Sequence, residues 1–127
     1  MSGLSYVASD KAPKAIGPYS QAVKTGNVVY TSGSLGFNPE TMKLVEGGAA
    51  AQAKQALANL EAVLTEAGTS KDKVVKTTVF LTDLGDFADC NQVYSDFFGS
   101  HKPARSCVEV SKLPANGLYE IEAVALL

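Results

Sequence analysis

The sequence predicts an α+β fold: six strands in one sheet, with two helices packed on one of its faces. Two observations carry that reading. Apolar residues recur at a period near 3.6 in only two segments, while short runs dense in Val, Thr, Ile, Tyr and Phe, several alternating at period two, make up the rest of the ordered chain. In chain order the elements read β-β-β-α-β-α-β-β, and two helices cannot cover both faces of a sheet. With 127 residues, 46% hydrophobic and 19% charged, the chain fits a single domain, residues 1–127, large enough to bury a core without metal or disulfide staples.

Leu4 to Ala8 is a short apolar and β-branched run closed by Ser9-Asp10, the pattern of a first strand. Pro13 and Gly17-Pro18 make the next stretch a loop. The turn dipeptide Gly26-Asn27 then separates two more strands, Tyr19 to Lys24 and Val28 to Gly33. Residues 34 to 46 read as a loop containing a short extended piece. From Gly48 to Ala67 the apolar side chains Ala53, Leu57, Leu60, Leu64 and Ala67 share a helical face, with Gln52, Lys54, Glu61 and Glu66 placed elsewhere. Gly68 supplies the left-handed residue that often ends a helix.

Val74 to Thr82 has strand composition throughout. A second helix is expected from Asp86, as N-cap, with Asp89 in its first turn and an apolar stripe of Phe87, Cys90, Tyr94, Phe97 and Phe98; Gly99 ends it. Two strands close the chain. The first begins near Arg105, and the second runs from Tyr119 to Leu127 after a loop around Pro114-Ala115-Asn116-Gly117.

Pro103 to Val110 holds the only arginine of the sequence. Alternation there places Arg105, Cys107 and Glu109 on one face and Ser106, Val108 and Val110 on the other, the second set having the character of core. The first set is then expected on the face that the core does not use. A planar guanidinium binds carboxylates and phosphates bidentately, so Arg105 is either an anchor for a small organic anion or a solvated edge-strand residue. Glu120 is either a general base whose pKa is raised by apolar neighbours or half of a structural salt bridge.

Cys107 is a packed thiol or a nucleophile, but no base lies near it in sequence. Tyr19 sits after a rigid Gly-Pro turn, either over a pocket or as a half-buried aromatic. Asn91 either offers its amide to a ligand or is an exposed helix residue. Ser32-Gly33 ends a strand, where free backbone N–H groups can bind anions or a glycine can simply mark a turn.

The bare sheet face is expected to carry Cys107, Val124, Leu126 and Tyr30, an apolar patch that favours a homo-oligomer. A net charge of −2 with no basic cluster argues against nucleic acid as a partner; Lys71, Lys73 and Lys76 read as a solvated face. Two cysteines and one histidine, His101, cannot assemble a zinc site from the usual ligands, and His101 reads as a surface residue. No apolar run approaches the roughly 20 residues of a membrane span. Met1 to Lys11 lacks the layout of a secretory or transit signal, so the cytoplasm is the expected location.

Several segments together resemble the RidA/YjgF family of reactive imine and enamine deaminases. They are Ala15-Ile16-Gly17-Pro18-Tyr19-Ser20-Gln21-Ala22, Tyr30-Thr31-Ser32-Gly33, Val75-Lys76-Thr77-Thr78-Val79-Phe80-Leu81, Asp86-Phe87-Ala88 with Asn91, Pro103-Ala104-Arg105-Ser106-Cys107-Val108 and Glu120-Ile121-Glu122-Ala123. The resemblance implies a chorismate-mutase-like fold with a six-stranded mixed sheet, in a homotrimer whose active sites lie at subunit clefts. It also implies hydrolysis of 2-imino acids such as 2-iminobutanoate and 2-iminopropanoate to 2-keto acids and ammonia, with no cofactor. In that reading Arg105 clamps the carboxylate, Glu120 activates water, and Tyr19, Ser32, Gly33, Asn91 and Cys107 line the pocket. The alternatives are a non-catalytic small-carboxylate sensor, and the endoribonuclease or translation-inhibiting activity ascribed to some members.

Overall fold

A computed structural model describes residues 3–127. Seven strands, β1 (Leu4–Val7), β2 (Ala22–Thr25), β3 (Val28–Thr31), β4 (Ser34–Leu35), β5 (Val74–Leu81), β6 (Ala104–Glu109) and β7 (Tyr119–Leu126), join in one sheet with two helices, α1 (Ala49–Ala67) and α2 (Phe87–Phe98). The sheet order is β1-β2-β3-β7-β5-β6, with β4 pairing the start of β7. Only β5 and β6 run parallel, linked through α2, so the sheet is mixed as expected. The seventh strand is the short extended piece anticipated in residues 34–46.

Both helices lie on the same face. Ala53, Leu57, Leu60 and Leu64 of α1 and Cys90, Tyr94 and Phe98 of α2 share one cluster with Val79 and Leu81 of β5 and Tyr119, Ile121, Ala123 and Ala125 of β7. A smaller cluster, with Val7, Ala22 and Val29 beneath Val63 and Ala67, ties the N-terminal strands to the end of α1. Gly68 ends α1 at φ 90°, a left-handed residue as anticipated, and its N–H bonds to the carbonyl of Thr65 at 3.0 Å.

Several local expectations are corrected. Gln52 is buried rather than set apart from the apolar face of α1, because its Oε1 accepts the Leu118 N–H at 2.8 Å. Asp86 makes no side-chain cap for α2; Asp83 instead accepts the Gly85 N–H at 2.8 Å and starts a single 3-10 turn that leads into the helix. A bulge between Val74 and Lys76 turns Val74 into the core and leaves Val75 exposed, inverting at that end the alternation that the rest of β5 keeps. His101 is half-buried, its Nε2–H donating to the Val74 carbonyl oxygen at 2.7 Å. Lys71 pairs with Glu61 at 3.8 Å and lies over the Phe97 ring, while Lys76 donates to Ser106 Oγ at 2.9 Å.

The segment after β3 is pinned to α1 by a buried amide. Asn59 Nδ2 donates to the carbonyls of Leu35 at 3.0 Å and Phe37 at 2.9 Å. Contact there is close enough that a Cβ at Gly36 would lie 2.7 Å from Gln52 Cα and 2.8 Å from the Gln52 carbonyl oxygen. Helix backbone cannot step aside as a side chain can. Gly36→Ala is therefore expected to reduce the unfolding free energy by about 1–3 kcal/mol, the usual scale of overpacking. The urea midpoint at unchanged m-value measures it; a wild-type midpoint would show that β4 and α1 can separate freely.

Candidate active site

The β5-α2-β6 unit positions one group of candidate residues. Spacings of four and three place Phe87, Asn91 and Tyr94 along one ridge of α2, facing the edge strand β6. The Arg105 guanidinium lies over the Tyr94 ring at 4.7 Å and the Phe87 ring at 5.4 Å, and its Nη1 donates to Asn91 Oδ1 at 2.6 Å. Among the described residues the one ion pair is Lys71–Glu61. Arg105 is thus held by neutral partners, with no carboxylate to neutralise it. Its face is the reverse of the one expected: it pairs across from Thr77, which is buried and bonded to the Tyr94 hydroxyl at 2.7 Å.

Ser106 and Val108, expected in the core, lie instead on the bare face, where Val108 is 43% exposed. The reversal follows from where β6 sits. At the sheet edge α2 meets Arg105 with the rings of Phe87 and Tyr94, which suit a guanidinium. Cys107, expected on the bare face, packs against the main core. Burial pushes its thiol up although Arg105 pulls the other way, and burial with Asp86 and Asp89 pushes Cys90 up to about 11. Neither thiol is activated. Glu109 holds the chain at the other end of β6, accepting the Leu84 N–H at 2.9 Å.

A second group forms around the ends of β3 and β7. Ser32 Oγ donates to the Ser20 carbonyl at 2.6 Å and its N–H to the Gln21 carbonyl at 2.9 Å, so this N–H is committed to the fold rather than free for an anion. Gly33 has a steric reason. A Cβ there would lie 2.6 Å from the Glu120 carboxyl carbon, so only glycine lets that carboxylate rest against the strand end. Tyr19, its N–H bonded to the Gly17 carbonyl at 2.8 Å, lines a cavity of about 190 Å³ together with Ile16, Ser32 and Gly33. Glu120 is half-buried, and burial, with Glu122 adding repulsion, holds its pKa above the ordinary carboxylate range.

The structure brings Asn91, Arg105 and Cys107 together, and separately Tyr19, Ser32 and Gly33 around one cavity with Glu120 against Gly33, but not the two groups. Register shows why. Glu120 pairs with Phe80 and Phe80 with Val108 on the bare face, whereas Ala123, Thr77 and Arg105 form a row on the helix face. No salt bridge between Arg105 and Glu120 can form within one chain. Phe87 and Tyr94, which the sequence offered only as core, are the guanidinium's platform; their helical spacing to Asn91 was the available signal. Among the described residues no three His, Cys, Asp or Glu side chains gather as a metal site requires.

A family model described as Endoribonuclease L-PSP matches residues 9–127. The chain belongs to this family, the RidA/YjgF family. It is 51% identical to a RutC family protein of Pyrococcus abyssi, covering 94% of each chain. It is 48% identical to the 2-iminobutanoate/2-iminopropanoate deaminase of Homo sapiens, over 94% of this chain and 88% of that one. Among solved structures, that of E. coli TdcF with bound serine superposes at a TM-score of 0.92 with 42% identity, over 97% and 98% of the two chains. These matches span the strands of both residue groups, so the fold expected from the RidA/YjgF resemblance is the fold found.

The setting of Glu120 has a thermodynamic consequence. Its folded pKa is raised, so between the unfolded and folded values the native state binds more protons, and stability falls as pH rises through that window. Glu120→Gln removes the penalty. The variant is expected to melt no lower than wild type at pH 7, with wild type regaining ground as the pH falls from the raised folded value toward the ordinary carboxylate value, and no further below it. Thermal scans across pH measure this; a variant melting well below wild type at pH 7 would reveal a stabilising partner for the carboxylate.

Proposed function

We propose that this chain is a hydrolytic deaminase of 2-imino acids such as 2-iminobutanoate and 2-iminopropanoate, working as a homotrimer with each site shared between two copies. The observation that carries the reading is Arg105: a guanidinium oriented by Asn91, Tyr94 and Phe87 with no carboxylate of its own. Such a group is prepared for the carboxylate of a small acid. The name of the human relative and the serine bound in the E. coli structure support a ligand of that class.

The second half of the site comes from the opposite sheet face, which one chain cannot turn toward its own Arg105. Tyr6, Tyr30, Val108 and Leu126 give that face an apolar patch, with between 42% and 68% of each exposed. A neighbouring copy packed there covers the patch and carries its Arg105 edge toward Glu120. In the cleft Arg105 fixes the substrate carboxylate. Glu120 then takes a proton from water as the oxygen adds to C2 and passes it to the imine nitrogen, giving a neutral carbinolamine. Glu120 next takes the carbinolamine hydroxyl proton and delivers it to the nitrogen as C=O forms and the C–N bond breaks, so the 2-keto acid and ammonia leave and Glu120 is again ionised. Imines hydrolyse readily, so orientation and one base suffice. Cys107 contributes shape, since a protonated thiol is no nucleophile.

Two variants separate clamp from base. Arg105→Lys keeps the charge but loses the planar fork, so a large fall in turnover of freshly generated 2-iminobutanoate is expected. Glu120→Gln should still bind 2-oxobutanoate while turnover drops on the order of 10²-fold or more. Wild-type activity in both would leave a carboxylate sensor as the better reading, and RNA cleavage surviving stringent purification would favour the ribonuclease. The wild-type rate should also decline on acidification at a pH above the ordinary carboxylate range, because the base must be ionised. Light scattering tests the assembly: three chain masses are expected, and a stable monomer at micromolar concentration would remove the shared cleft.

A further inference from the structure

Tyr119 opens β7 on the helix-covered face, where it is 1% exposed. Its hydroxyl is buried and, among the described residues, has no hydrogen-bond partner. Nothing in the chemistry proposed above uses it. Buried polar groups are paired almost without exception, and phenylalanine would fill the same space without an O–H to satisfy. The ring lines a small chamber of about 10 Å³, partly open to the surface, whose walls include Cys90, Asn91, Tyr94, Arg105 and Cys107. That space is close to the lower limit for a single water, about 10–15 Å³.

Several polar groups on the chamber wall are already matched. The Tyr94 hydroxyl is bonded to Thr77, and Asn91 Oδ1 receives Arg105 Nη1. An amide oxygen, however, has two lone pairs, and the Cys107 sulfur is a weak acceptor. A water between them would have a donor in Tyr119 and acceptors in Asn91 and Cys107. Immobilising one water costs less than leaving a buried hydroxyl unpaired.

We propose that the chamber holds one water that accepts from the Tyr119 hydroxyl and donates to Asn91 Oδ1 and Cys107 Sγ, which makes Tyr119 a positioning residue for the Arg105 clamp. The amide is then held from both sides, by the guanidinium above and the water below. Asn91 loses the freedom to rotate, and Arg105 keeps its fork aimed before a ligand arrives. The inference rests on the reading of Arg105 as the carboxylate clamp.

The test measures 2-oxobutanoate binding by calorimetry for wild type, Tyr119→Phe and Arg105→Lys, with imine turnover and melting temperature alongside. Tyr119→Phe is expected to bind about 3–10-fold more weakly, the scale of one hydrogen bond, and KM for the imine should rise by the same factor. kcat and melting temperature should not fall. A merely structural hydroxyl would shift the melting temperature and leave the binding constant alone. A high-resolution crystal structure of the wild-type protein is expected to place solvent within hydrogen-bonding distance of Tyr119 Oη. A wild-type binding constant in Tyr119→Phe, or a chamber without ordered solvent, overturns the proposal. If Arg105→Lys weakens binding and Tyr119→Phe does not, only the role of Tyr119 falls; if Arg105→Lys binds like wild type, the clamp itself is wrong.

Discussion

Side chains on a strand alternate between two faces, and this chain owns helix for only one of them. Much of what is distinctive in the molecule depends on that constraint. On the covered face, α1 and α2 build the core with β5 and β7. Even numbers of β7 point the other way, so Glu120, Glu122, Val124 and Leu126 share a surface that no element of the same chain covers, together with Tyr30 and Val108. The same parity separates Arg105 from Glu120. A residue at 105 and one at 120 are brought into one sheet by β5, yet the register that joins them also puts them back to back.

The long-period features were legible in the sequence because each rests on many residues at once. The stripe of α1 and the glycine at 68 read correctly from composition and spacing. What escaped depended on single contacts. Two-residue β4 is too short to carry a pattern; it exists because β7 offers it a partner and Asn59 holds its carbonyl. The bulge at Val75 adds a residue to β5 and so inverts the parity of everything before it. Ser106 and Val108 look like core by chemistry, but nothing in a strand's own sequence says on which side its helices lie. For the site, the residue types were readable and their grouping was not. Asn91 could be singled out beside Tyr94 on its helix, whereas its partner, the guanidinium, became visible only once β6 was placed beside α2.

The electrostatic settings of the two halves are opposed. Arg105 is oriented by an amide oxygen and two ring faces, contacts that fix direction without cancelling charge. A carboxylate in place of Asn91 would hold the side chain as well and leave much less attraction for a ligand. Glu120 is treated the other way: burial and a neighbouring carboxylate make its ionised form less comfortable, which raises its affinity for a proton. Gly33 makes this possible by leaving room for the carboxyl group against the backbone.

The strand order also has a kinetic side. β7 is the last element in chain order, yet it lies in the middle of the sheet, paired with β3 on one side and β5 on the other. Before it is in place the chain consists of two fragments, the β1-β2-β3 meander and the β5-α2-β6 crossover, with no strand between them. A nascent chain emerging from N- to C-terminus therefore has an open edge on each fragment until β7 has emerged, and the closing step joins β3 to a strand nearly a hundred residues later. Such late, non-local closure slows folding and prolongs the exposure of unpaired edges. Truncation or arrest within β7 would leave two incomplete sheets rather than a slightly shortened one.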